Sequence, residues 1–438
     1  MPDDLSRSLD RIRWPLRAAY VGILLLATLT HLEPVLDTSS AAARAGSALS
    51  VHLTPKALID AARNVALFAG WGLVWMTTAK PGRTLRSVAL ALGTGVLISV
   101  GVETAQLFSD VRNASPLDVL SNGGGALLGA VAVIVAVRWL AQLRTARSFV
   151  GLPAWVFAGS YGLAILGEAF MPLLRQTHMR VYGSPLTRFR YVIEKFDPAS
   201  FAVLPLSEIV LYLPAGFFLA AALVEGGRGY RRSATLAAVG GSVLVVLAEV
   251  ARGAASFEIA GGPILVHVAA LFAGAVAAAY LLPLVARHLR GRERPQLLFV
   301  LYALVIAFWY LRPYIPQLHP SAWIEQLTGH WWMPMAFAVA RLDLFSIIDV
   351  TNVFFLFFPL GALLAVWPFK TRGWWGGILP GIWLAAVVEF AQLFVVGRTL
   401  ALADILVAAA AVWTGSVLVR RAGFPLRGEM GRAPKSAS

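Results

Sequence analysis

The chain has no cysteine and few charges. The first absence removes disulfide frameworks, thiolate metal sites and cysteine nucleophiles, and it leaves the redox compartment unreadable. The second is more telling. Only 14% of residues are Asp, Glu, Lys or Arg, while 58% are hydrophobic. A water-soluble core must still be wrapped in polar residues, so this balance does not suit a soluble domain of 438 residues. Acidic residues are the scarcer sign, which leaves a net charge of +14. The basic residues do not form a basic soluble domain. They sit in the breaks between apolar runs, where they act as topology signals. Nucleic-acid binding is therefore not expected.

Also missing are a Walker-type phosphate loop, a nucleophile elbow around Ser115, Ser121 or Ser207, and a metal-ligand spacing such as His-x-x-x-His. His31, His52, His178, His319 and His330 are scattered, and His267 reads as a helix-packing residue. No metal and no cofactor are expected.

What is present is a series of twelve apolar runs at 15–32, 57–79, 87–109, 117–142, 153–170, 206–225, 234–252, 263–286, 296–312, 347–368, 375–395 and 401–420. Most are long enough to cross a bilayer as helices. Backbone groups cannot remain unpaired in lipid, and the runs lack the alternation of barrel strands. The expected fold is all-α, a polytopic membrane helical bundle of about twelve transmembrane helices. No small-residue cleavage site follows the first run, which is expected to be an uncleaved anchor.

Positive residues orient the bundle. With the N-terminus in the cytoplasm, 24 of the 37 Lys and Arg fall on the inner side. They include Lys80, Arg83 and Arg86; Arg228, Arg231 and Arg232; and Arg287, Arg290, Arg292 and Arg294. Both termini are expected inside, in a bacterial plasma membrane. The outer loops then alternate long and short, with long ones near 33–56, 171–205 and 313–346. This is a four-helix rhythm repeated three times.

Polar residues follow the same rhythm. Gln106, Arg112 and Asp118 lie three, nine and fifteen residues after Glu103. Gln392, Arg398 and Asp404 lie at the same spacings after Glu389. Earlier in each copy stand Asn64 and Gly72; Glu208, Pro214 and Gly216; and Asn352, Pro359 and Gly361. The intervals Gly72–Gly216 and Gly216–Gly361 are 144 and 145 residues. Four polar types at matched spacing inside apolar sequence mark an internal repeat. The expected organisation is copy 1 over residues 1–148, a degenerate copy 2 over 149–294, copy 3 over 295–421, and a disordered cytoplasmic tail over 422–438. Copy 2 keeps Glu249 but has Arg252 for Gln, Glu258 for Arg, Pro263 for Asp and His267 for Asn. In copy 3, Asn352 is one residue out of step with Pro359, and Ala408 replaces Asn122.

The pattern of Asn-x-x-Leu-Phe and Pro-x-Gly on one helix resembles the VanZ-like membrane proteins. So does Glu-x-x-Gln near the end of the next helix, followed by Arg, Asp-x-x-x-Asn and glycine. Copy 1 shows Asn64, Glu103, Gln106, Arg112, Asp118, Asn122, Gly125 and Gly129, and departs at Gly70, where the family tends to have proline. Copy 3 shows Pro359, Gly361, Glu389, Gln392, Arg398, Asp404 and Gly415. The resemblance implies a cell-envelope setting linked to glycopeptide-antibiotic resistance, and it names no reaction.

Topology places Asn64, Glu103, Gln106, Arg112, Asp118 and Asn122 near the outer interface. The same holds for Asn352, Glu389, Gln392, Arg398 and Asp404. An Arg forks onto phosphate or carboxylate oxygens, Asn and Gln pair with sugar or amide groups, and a Glu at apolar depth can serve as acid or base. The set suits the head group of a membrane lipid or of a lipid-linked envelope intermediate. Other readings stay open. Polar side chains also hold bundles together without any ligand, as Glu103 with Arg112 or Asn64 with Asp118 would. A membrane enzyme and a secondary transporter are further alternatives, and the oligomeric state is not legible. Glycines 123, 125 and 129 read as a helix-packing face. Trp323–Phe345 and Tyr182–Phe201 read as aromatic interfacial segments that either shield the polar site or anchor the bundle.

Overall fold

The computed structural model describes residues 3–29, 55–80, 82–109, 115–144, 148–175, 206–254, 261–289, 293–311, 315–329, 344–366 and 375–424. Thirteen helices run through the described residues. In chain order they are α1 (Asp3–Leu29), α2 (Pro55–Thr77), α3 (Thr84–Gln106), α4 (Pro116–Leu143), α5 (Ala154–Arg175), α6 (Leu206–Glu225) and α7 (Tyr230–Ala254). They continue with α8 (Gly261–His288), α9 (Glu293–Tyr310), the short α10 (Pro320–Thr328), α11 (Leu344–Val366), α12 (Trp375–Gln392) and α13 (Leu402–Arg421). Among the described residues the extended pairing is one isolated bridge, Pro316 with Val395.

Six of the helices hold windows long and apolar enough to cross a membrane. Their outward faces carry Leu97, Leu120, Leu244 and Tyr280, each more than 60% exposed. Apolar surface on that scale is stable only against lipid. The all-helical membrane bundle expected from the sequence is what the chain forms.

Two compact units divide the chain. One comprises residues 1–140 with 334–347, and the other residues 141–333 with 348–438. In the first, α1 packs on α2 and α3, and α2 packs on α3. In the second, α8 lies against α6 and α7, α5 lies against α6, α9 touches α6 and α12, and α12 packs on α13. The core of α5–α8 is mostly alanine, with Ala220, Ala221, Ala222, Ala237, Ala238, Ala275 and Ala278 meeting Leu282. Small side chains let helix backbones approach closely where lipid offers no hydrophobic driving force for association.

The closest approaches are made by glycines, and they recur. A Cβ on Gly72 of α2 would sit 2.0 Å from the Ala126 carbonyl oxygen of α4, and one on Gly129 of α4 would sit 1.9 Å from the Ala69 oxygen of α2. Gly216 and Gly274 make the same reciprocal contact with Leu271 and Leu213, at 2.0 and 1.9 Å. Gly361 and Gly415 repeat it with Val412 and Phe358, at 2.0 and 2.2 Å. A third glycine follows suit: Gly95, Gly241 and Gly381 each face the side chain of the α4, α8 or α13 residue already named, Ala126, Leu271 or Val412. The helix-packing role expected of Gly125 and Gly129 is therefore met, with Gly125 against the Val65 backbone.

The first helix of each copy contributes a tyrosine, at an interval of 141 residues: Tyr20, Tyr161 and Tyr302. Tyr20 donates to the Leu67 carbonyl at 2.7 Å, and Tyr302 to the Leu356 carbonyl at 2.8 Å. Tyr161 instead joins an aromatic cluster with Phe218 and the edge of Tyr302. Gly70, where the family pattern has proline, makes room for Tyr20: a Cβ there would overlap its hydroxyl oxygen at 1.8 Å. His267 is buried and stacked on Tyr212 with ring centroids 4.0 Å apart. At the other end of this bundle Glu225 accepts from the Phe149 amide at 2.9 Å and the Ala154 amide at 2.6 Å, which satisfies the orphan donors where α5 begins.

Candidate functional site

The polar residues of copy 1 come together at one end of α2, α3 and α4. Asn64 donates to Asp118 Oδ1 at 2.7 Å. Glu103 Oε2 accepts from the Ser115 amide at 2.9 Å, at the start of α4, where amide donors lack helical partners. Gln106 donates to the Thr28 carbonyl at 3.4 Å, near the end of α1. Asn122 is 2% exposed and donates to Ser99 Oγ at 2.8 Å. Its Oδ1 has no hydrogen-bond partner among the described residues. Arg112 lies outside the described residues, so the Glu103–Arg112 pairing is not on view.

Copy 3 rebuilds the frame. Glu389 Oε1 accepts from the Ala401 amide at 2.7 Å, just before α13. Gln392 donates to the Tyr310 carbonyl at 3.2 Å, at the end of α9. Each acceptor and donor is the sequence counterpart of its partner in copy 1. Twelve residues separate Glu from the capping amide in both. A Glu that accepts from an N-terminal amide and a Gln that ties the third helix to the first thus recur in both copies. Glu389, Gln392 and Asn352 are all buried.

The copies differ one turn before the Glu and along the fourth helix. Ser99 and Asn122 of copy 1 correspond, at a constant shift of 286 residues, to Ala385 and Ala408 of copy 3. Removing both hydrogen-bonding partners avoids the penalty of orphaning either one. It also leaves a crevice lined by Tyr310, Phe357, Ala385, Val388, Glu389, Asp404 and Ala408. Glu389 and Asp404 therefore line one tight crevice, too narrow to admit a water molecule, and the hydrogen bond of Glu389 to the described residues is made through Oε1. Asn352 does not line this crevice.

Arg398 lies on the turn between α12 and α13, and that turn is pinned from outside. Gly397 takes a left-handed conformation, φ +75°, which favours glycine. Gln326 of α10 donates to the Arg398 carbonyl at 3.0 Å and accepts from the Leu400 amide at 3.4 Å. The Gln317 amide donates to Phe394 O at 2.8 Å, the Val396 amide donates to Ile315 O at 2.9 Å, and Trp323 packs edge-on against Phe394. The interfacial segment expected from Trp323 onward thus begins as a helix that braces the Arg398 turn, while residues 330–343 lie outside the described residues. Exposed Ile324 and Leu327 give α10 an apolar side.

For copy 2, Glu258 lies outside the described residues, as do the side chains of Glu208, Glu249, Arg252 and Pro263. Among the described residues no group of three or more His, Asp and Glu is arranged to hold a metal ion. Sequence reasoning missed Gln326, the tyrosines at 141-residue intervals, the glycines at 95, 241 and 381, and Ser99. The fixed interval was the available signal for the tyrosines. The glycines keep the same spacing to Glu103, Glu249 and Glu389, eight residues before each.

Two stretches, residues 18–138 and 296–423, match the family model described as VanZ/LLP1, and together they cover more than half of the chain. No curated protein and no solved structure matches it.

Proposed function

The chain belongs to the VanZ/LLP1 family, and from that premise we propose that it acts in the cell envelope by binding the head group of a membrane lipid or a lipid-linked glycan. The site we assign is the crevice of copy 3, facing the outer side of a bacterial plasma membrane, with copy 1 as a second, more filled version. The supporting observation is that Glu389 and Asp404 line one crevice, with Arg398 on the turn that joins their two helices. In this reading the Arg398 guanidinium takes the phosphate, and the carboxylates accept from sugar hydroxyls or an amine. Copy 2, which replaces the corresponding Arg with Glu258, serves mainly as scaffold.

The test is direct binding. Purified protein in nanodiscs is titrated with an undecaprenyl-linked glycan, with phosphatidylglycerol and with phosphatidylethanolamine, and Arg398→Ala, Glu389→Gln and Glu258→Ala are compared. The proposal expects at least tenfold weaker binding of one ligand for the first two variants and no change for the third, at equal folded fraction. No binding of any of them, or equal loss in all three variants, sinks it. Glycopeptide susceptibility of a deletion strain complemented with each variant extends the test to the cell.

The pair of carboxylates also favours a second reading, a membrane enzyme in which Glu389 is the general acid or base. Turnover of a bound lipid-linked ligand, lost in Glu389→Gln while binding persists, would select it.

A further inference from the structure

A second cluster lies at the opposite end of the first compact unit, where α1 begins and α2 ends. Arg17 is 7% exposed. Its Nε donates to Thr78 Oγ1 at 3.1 Å, and its Nη2 donates to the Trp75 carbonyl at 3.3 Å. The guanidinium lies 3.7 Å from the Trp75 ring and 5.3 Å from the Trp14 ring. The fork is thereby fixed in place, with Nη1 left outside any hydrogen bond to the described residues. Arg13 approaches the same Trp14 ring at 5.9 Å, so two like charges share one indole. Arg13 Nε is shut from solvent with no hydrogen-bond partner among the described residues.

Among the described residues neutralisation falls short. Asp10 serves Arg13 at 3.0 Å and Lys80 at 3.8 Å, both through Oδ1. Two cations therefore share one carboxylate, and among the described residues the most buried cation, Arg17, has only neutral partners. Burying a charge without an opposite charge is costly, and placing two guanidinium groups together adds to that cost. Trp14 is 61% exposed beside them, as tryptophans are where acyl chains give way to head groups.

We propose that Arg17, Arg13 and Lys80 form a binding site for the phosphate of one anionic phospholipid, with Trp14 and Trp75 forming its walls. The phosphate oxygens take the open Arg17 Nη1 and a donor of Arg13, and Lys80 contributes as a point charge. The acyl chains lie along the exposed apolar face of α1, at Leu25 and Leu26. The site is separate from the Glu389 crevice and does not depend on the function proposed for it.

The test uses the full-length protein in nanodiscs of phosphatidylcholine with rising phosphatidylglycerol, read by thermal unfolding and by native mass spectrometry of retained lipid. Wild type should gain several degrees with phosphatidylglycerol and retain one such lipid preferentially. Arg17→Gln should lose both effects, and the Arg13→Gln/Lys80→Gln double variant, whose side chains are more exposed, should lose most of them. Arg228→Gln, an exposed arginine outside the cluster, should keep them. Each variant's unfolding temperature in pure phosphatidylcholine reports its folding separately. Equal stability of wild type in both lipids overturns the proposal, as does an undiminished response in the Arg13/Lys80 variant. Protection by inorganic phosphate in detergent without any phosphatidylglycerol effect would make the ligand a free anion and overturn the lipid assignment.

Discussion

Gly129→Ala should drive α2 and α4 apart. The new Cβ would lie 1.9 Å from the Ala69 oxygen, whereas a carbon against a carbonyl oxygen settles at about 3.3 Å. The backbones must therefore separate by about 1.4 Å, or one helix must roll, and either motion breaks the reciprocal contact at Gly72. Overpacking of this kind costs about 1–3 kcal/mol. Alanine in place of a helical glycine returns roughly 0.5–1 kcal/mol, and Gly101→Ala isolates that gain because its Cβ meets nothing within 4 Å. Both variants share that gain, so they should differ by the overpacking cost of about 1–3 kcal/mol, with Gly129→Ala destabilised and Gly101→Ala slightly stabilised. Unfolding in mixed micelles with rising SDS, followed by circular dichroism, measures the difference. Gly274→Ala and Gly415→Ala should behave like Gly129→Ala. A Gly129→Ala protein as stable as Gly101→Ala would refute the packing argument.

Other expectations follow from single contacts. Ser99→Ala strands the Asn122 amide and should cost about 1–3 kcal/mol, while the Ser99→Ala/Asn122→Ala pair should return close to wild type; a double-mutant cycle with no coupling would refute the exchange of that pair for Ala385 and Ala408. Glu225→Ala removes the acceptor at the start of α5 and should cost about 1–3 kcal/mol, with faster amide exchange at Phe149 and Ala154 as the local readout. Gln326→Ala should speed amide exchange at Leu400 and weaken ligand binding several-fold at unchanged global stability; unchanged exchange would show that α10 does not brace the Arg398 turn.

Much of this was legible in the sequence because lipid makes helices obligatory and charges rare. The apolar runs located the helices, and Glu103 and Glu389 with their Gln, Arg and Asp companions located the frame. Asn64 and Asp118 do meet. What the sequence concealed was of three kinds. Helix register is one: Asn352 cannot be overlaid on Asn64 by spacing alone, because the second helices of copies 1 and 3 are offset by 289 residues and the third and fourth by 286. Ambiguity of type is another, since Tyr20 and Tyr302 look like ordinary core aromatics until their hydroxyl acceptors are seen. The last is the crevice itself. It is made by what Ala385 and Ala408 lack, and an alanine in an apolar helix carries no signal that a hydrogen-bonded pair has been removed.

The pairing of Ser99–Asn122 in one copy with Ala385–Ala408 in another has a consequence for descent. In a symmetric assembly of identical subunits every mutation appears at all equivalent places at once, so a site can only be opened everywhere or nowhere. Joining the copies in one chain breaks that lockstep. One copy can lose its polar plug while its sibling keeps it, and a third can reverse a charge, without any of them dragging the others along. Division of labour among sister sites thereby becomes open to selection one substitution at a time.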